Sequence, residues 1–195
     1  MLKRLLSCLA VGGLSFSASA ADDGAYGSDL SVGFGAGSML SEWAQPGLHG
    51  VVGGRFDAFL EPYGSSAPRM GVSFFVSTTA GVFQNASETV DGNTTEFTFE
   101  ALHTGVLSVL RYDTPATLWT GITGFGFGRI DLNDYYDGVH TLPTATFETG
   151  VRRSLGENFV DALVRASWAT TRSLTGEREE WWCVQTLWSV GLHAR

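Results

Sequence analysis

Strict alternation of apolar with small or polar side chains, repeated in about eight segments, constrains this chain more than any other feature. At the C-terminal end Trp182, Val184, Thr186, Trp188, Val190 and Leu192 share one parity, and Cys183, Gln185, Leu187, Ser189, Gly191 and His193 the other. A period of two sends successive side chains to opposite faces, so each segment reads as a β-strand with two unlike sides. Such strands build soluble barrels or sandwiches with the apolar side inward, or membrane barrels with it outward.

The N-terminus reads as an export signal spanning residues 1–20. Lys3 and Arg4 form a basic start, Leu5 to Phe16 an apolar core, and Ala18-Ser19-Ala20 an A-x-A cleavage pattern. The expected mature domain is 21–195. Its ten arginines face 20 acidic residues, a net charge of −10 once Lys3, the sole lysine, and Arg4 are removed. An acidic, lysine-free surface is a poor match for nucleic acid, whose phosphates need basic side chains. Cys183 would be the one remaining thiol, so no internal disulfide is expected. No later stretch approaches 18 uninterrupted apolar residues, which excludes a spanning helix.

Four segments fit the strand template closely. Leu30, Val32, Phe34 and Ala36 oppose Ser31 and Gly33; Val52, Phe56, Ala58 and Leu60 oppose His49, Arg55 and Asp57. Met70, Val72, Phe74 and Val76 oppose Arg69, Ser73 and Ser77. In the fourth, Phe97, Phe99, Ala101, Leu107 and Val109 are read as the apolar face against Glu96, Thr98, Glu100, Thr104 and Ser108. The fifth, Ala116 to Asp131, divides its apolar residues: Leu118, Ile122 and Ile130 on one parity, Trp119, Phe125 and Phe127 on the other. Its glycine-spaced centre is a candidate bulge that changes phase. Thr144 to Arg153, Phe159 to Thr171 and the C-terminal segment complete the set.

Turn-rich links alternate with longer polar ones, Ser41–Gly47, Gln84–Thr95, Leu132–Pro143 and Arg172–Glu180. Short turns at one end and long loops at the other is the outer-membrane arrangement, with the termini periplasmic. The non-apolar faces carry Arg55, Asp57, Arg69, Glu96, Glu100, Glu148, Arg152, Asp161 and Arg165 among Ser, Thr and Gly. An eight-stranded barrel has an interior just wide enough to be filled by side chains. These charges are therefore expected to pair and plug the lumen. Trp43, Trp168, Trp181 and Trp182 near the loop end, with Tyr63, Tyr112 and Trp119 near the turn end, suggest two aromatic girdles at lipid headgroups.

The expected fold is all-β, an eight-stranded antiparallel up-and-down transmembrane β-barrel. The pattern resembles the small eight-stranded outer-membrane barrels, such as the OmpA transmembrane domain, OmpW-like and Ail/Lom-type proteins. The resemblance rests on the SVGFGAG start, the ITGFGFGRIDL segment and the LWSVGL end. It implies a bacterial outer-membrane location, lipids and the barrel-assembly machinery as partners, no cofactor, and a role in envelope integrity or surface interaction. A narrow channel for small or apolar solutes and a lipid-modifying enzyme are the alternatives.

Signals for chemistry are sparse. No His is followed two places later by Ser, and neither a G-x-S-x-G elbow nor an HExxH zinc motif occurs. His103 is expected to point to lipid. Asp131, Asp134 and Asp137 form a candidate loop cation site through their oxygen donors, without EF-hand spacing.

Overall fold

Alternation becomes a closed cylinder. The computed structural model describes residues 26–41, 44–45, 49–60, 68–90, 93–113, 119–134, 138–172 and 178–194. The expected leader, Trp43, Tyr63 and Asp137 lie outside this set, as do the side chains of Glu96 and Asp134. The strands are β1 (Tyr26–Ser41), β2 (Ala44–Gln45), β3 (His49–Leu60), β4 (Arg69–Val90), β5 (Asn93–Asp113), β6 (Trp119–Asp134), β7 (Gly138–Leu155), β8 (Asn158–Arg172) and β9 (Arg178–Ala194). The eight long strands pair antiparallel in the order β4-β3-β1-β9-β8-β7-β6-β5, and β5 pairs back to β4. Two-residue β2 adds to β4 at Gln84 and Asn85. Closure leaves the long strands without the free edge that would expose unpaired backbone groups.

The apolar rows look outward. Phe34 is 70% exposed, Phe127 71% and Trp188 61%, while Arg152 and Glu148 are 1% and 0% exposed. On β9 the outward row runs from Trp182 to Leu192, and on β4 it begins at Met70, Val72, Phe74 and Val76. Such rows match the roughly 9–11 residues a tilted strand needs to cross a bilayer.

Two strands differ from the sequence reading. On β5, Leu102, Val106 and Tyr112 face outward, and Ala101, His103, Leu107, Val109 and Arg111 face inward, so the expected phase is inverted. Glu100 accordingly stands exposed on the outer face rather than in the lumen. The cause is that both parities of β5 are apolar; a buried Arg111 and His103 settle which side is enclosed. On β6 there is no phase change. Its register with β5 and β7 runs unbroken from end to end. Phe125 and Phe127 point out; Ile122, Ile130 and Leu132 point in, with Gly124 and Gly126 between them.

The long polar links also prove to be largely strand. β4 continues to Val90 and β5 starts at Asn93, with a register shift between Gln84 and Thr89. β6 and β7 likewise continue to Asp134 and from Gly138. These ends form paired ribbons although neither parity of their sequences carries a continuous apolar row.

At the opposite end β7 and β8 are joined by Gly156-Glu157 between the register pair Leu155 and Asn158. Gly156 has φ +76°, the left-handed value that primed two-residue turns require at their first central position. Gly156→Ala is expected to cost about 1–2 kcal/mol, the penalty for an L-residue in that region. Urea unfolding in micelles will measure it, and a neutral result would show that the turn relaxes to another type.

Candidate functional site

The interior is organised in levels. Lowest, near the termini, Asp29 of β1 meets Arg111 of β5, Arg152 of β7 (2.5 Å) and His193 Nδ1 of β9 (2.7 Å). Arg152 also grips Asp161 of β8 with two parallel bonds, Nε to Oδ1 at 2.6 Å and Nη2 to Oδ2 at 2.7 Å. Asp57 of β3 accepts from Arg111 at 3.1 Å and Arg152 at 3.4 Å, and from Arg55 Nε at 2.5 Å. Arg55 passes the chain upward to Glu148 of β7, which also takes Arg165 of β8 through Nε at 3.0 Å and Nη2 at 2.7 Å.

Four guanidinium groups thus meet four carboxylates in one continuous network, all 6% exposed or less. Equal numbers are what a dry lumen demands, since an unpaired charge there costs several kcal/mol. Planar arginine suits the task because its edges bind carboxylates while its flat face is weakly hydrated. Three of the four use that face: Arg111 lies 3.6 Å from the Phe59 ring centroid, Arg152 3.5 Å from Phe159, and Arg165 3.7 Å from Phe75. The inward phenylalanines thereby complete the charge cluster, at about 0.5–2 kcal/mol per contact.

Above this lies a neutral polar layer. Gln185 donates to Thr79 (3.3 Å) and accepts from Ser77 (3.2 Å). Thr144, Thr146 and Ser167 form a ladder at 3.3 and 2.9 Å that reaches His103 Nε2 at 3.2 Å. His103, expected to face lipid, is instead 2% exposed in the lumen and edge-on to Phe75. Toward the hairpin-ribbon end, Met39, Ala101, Ile130, Leu132, Leu142, Ala169, Trp181 and Cys183 form a buried apolar cap among the described residues. Trp181, expected in a girdle, is 4% exposed and belongs to this cap. Its neighbour Trp182 faces outward beside Trp168, ring centroids 6.5 Å apart, and Tyr112 and Trp119 face outward at the far end.

Of the residues expected in the lumen, Arg55, Asp57, Glu148, Arg152, Asp161 and Arg165 are brought together there. Arg69 is half-buried at the lower end of β4, in register with Arg111. Asp29 and Arg111 were not anticipated. Asp29 shares the parity of Ser31 and Gly33, so extending the first strand one residue toward the N-terminus would have included it. Arg111 was hidden by the inverted phase of β5. In the candidate loop cation site, Asp131 is already engaged, by Arg129 at 3.0 Å and the Thr141 hydroxyl at 2.7 Å. Among the described residues no cluster of three or more His, Cys, Asp and Glu is placed to hold a metal ion.

Cys183, 5% exposed in the cap, is expected to resist thiol reagents in the folded barrel and to react after unfolding in urea. Labelling kinetics will check this; rapid modification of the folded protein would mean that the cap opens.

The comparisons with known proteins bear on the fold. No family model matches the sequence, and no curated protein does. Among solved structures, Neisserial surface protein A superposes with a TM-score of 0.55 at 12% identity, covering 85% of this chain and 96% of its own. The outer membrane protein OprG from Pseudomonas aeruginosa gives 0.55 at 9% identity, covering 86% and 96%. The fold is that of the small eight-stranded antiparallel outer-membrane β-barrels.

Proposed function

We propose that this chain is a non-enzymatic barrel of the bacterial outer membrane that serves envelope integrity or surface interaction through the ends of its hairpins. The lumen is closed to bulk flow. The observation that carries the reading is the combination of an apolar outer wall with an interior filled by paired charges and a buried apolar cluster: the wall needs acyl chains, and the filling opposes bulk flow. The hairpin ribbons beyond the wall then face the exterior, with the termini and the Gly156 turn in the periplasm. Outer-membrane lipids and the barrel-assembly machinery are its partners. The likeness in fold to a Neisserial protein described as a surface protein agrees with this assignment.

The test combines two measurements on protein refolded in detergent. Unboiled protein should migrate anomalously against boiled protein on a denaturing gel, and planar bilayers should show no discrete current steps. Solubility of the folded protein without detergent would remove the membrane reading. Reproducible single-channel steps would remove the closed lumen and favour a solute channel.

A further inference from the structure

The turn end of the outer wall carries a cation that the barrel does not neutralise. Arg153 shares the outward parity of Val151 and Leu155 on β7. Two further arginines of the outer surface, Arg129 and Arg178, stand 3.0 and 4.0 Å from the carboxylates of Asp131 and Glu180. Arg153 has no such partner among the described residues. Its guanidinium lies instead 5.7 Å from the ring centroid of Trp119, its register partner on β6. A ring attracts the charge, but the in-plane N–H groups of a guanidinium are matched by oxygen acceptors.

Tyr112 brings a hydroxyl to the same place. Gly121 of β6 stands in register with Tyr112 on β5 and with Val151 on β7. A Cβ at Gly121 would overlap the Tyr112 ring and come within 2.8 Å of its hydroxyl oxygen, so the ring lies across β6 only because this residue is glycine. The hydroxyl thus sits over Gly121, one diagonal step from Arg153. Both rings stay exposed on the outward side. The three side chains stand at the end of β5, the start of β6 and the end of β7, where the apolar rows stop. Beside acyl chains a lone cation is disfavoured, and arginine there extends toward the headgroup layer.

We propose that Arg153, Tyr112 and Trp119 bind the phosphodiester of one glycerophospholipid in the periplasmic leaflet. A phosphodiester carries one negative charge, which matches the one unneutralised cation. Its two non-bridging oxygens accept from the guanidinium edge, and the Tyr112 hydroxyl donates to one of them. The Trp119 ring holds the cation in place. This site presupposes the membrane wall described above and adds a particular headgroup contact to it.

The barrel is refolded in dodecyl maltoside, a detergent without phosphate, and dioleoylphosphatidylglycerol is titrated in. Native mass spectrometry then reads the lipid retained on the protein. Wild type should keep one phospholipid and no dioleoylglycerol, which has the same acyl chains without the phosphate. Arg153→Gln should weaken retention about tenfold and Tyr112→Phe roughly threefold, the range for charged and neutral hydrogen bonds. Arg129→Gln should leave it unchanged, and excess inorganic phosphate should not displace the lipid. Equal retention by Arg153→Gln, or of dioleoylglycerol by wild type, overturns the proposal. So does displacement by inorganic phosphate, which would make the group a site for free anions. Should Arg153→Gln fail to fold, Tyr112→Phe and the two-lipid comparison still decide. Boiled and unboiled samples of each preparation are run on a gel. Anomalous migration without retained phospholipid removes this site and leaves the barrel assignment standing, whereas a folded protein soluble without detergent removes both.

Discussion

Replacing Arg152 by Met is expected to lower the unfolding free energy by about 3–5 kcal/mol, the cost of leaving a buried charge uncompensated. The loss should concentrate on Asp161, whose two ion-pair contacts both come from Arg152. Asp29 and Asp57 keep Arg111. The double variant Arg152→Met/Asp161→Leu should therefore recover most of the loss, because an apolar pair of similar volume often replaces a buried ion pair at little cost. Urea unfolding of all three variants in liposomes closes the cycle. A single-variant loss below about 1 kcal/mol, in the range of exposed ion pairs, would mean that water reaches Asp161.

The second large effect lies on the other side of the wall. Val106→Arg should cost about 2–4 kcal/mol in a bilayer, since a cation is placed against acyl chains. Glu100→Arg, on the same outer face of β5 but beyond Leu102, should cost no more than about 1 kcal/mol, as expected near the interface. Both side chains are exposed in the isolated chain. A protein whose wall meets water would show two similar, small values, and that outcome would end the membrane assignment. Depth dependence along one strand is thus a direct reading of the solvent outside it.

Six of the eight long strands were legible in sequence because the charged residues they carry along the membrane-crossing stretch, or their small and polar ones, share a single parity opposite the main apolar row. On β8, Asp161 and Arg165 marked the lumen side although Phe159 and Leu163 share their parity. β5 and β6 failed that test for a physical reason. A lumen this narrow needs large apolar fillers such as Leu107, Val109, Ile122 and Ile130, so apolar residues occur on both faces. Charge would have broken the tie on β5, since Arg111 and His103 share a parity that lipid would not tolerate. On β6 charge misleads, because Arg129 and Asp131 share the outward parity of Phe125 and Phe127 but pair with each other. The arginine-carboxylate cluster could be anticipated as a composition, whereas its connectivity could not. Which carboxylate serves which arginine depends on strand stagger, and stagger is a property of the closed ring.

Closure itself sets an order of assembly. The seam joins the first long strand to the last, β1 to β9, from Ser28 and Ala194 up to Ser41 and Trp181. Until the final segment has been delivered, two rows of amide groups stay unmatched, and Asp29 lacks the imidazole of His193. Saturation of the backbone along the seam therefore comes only with the last strand, whereas the eight paired charges all lie on earlier ones. A chain interrupted before Arg178 would leave the facing edges of β1 and β8 without a partner.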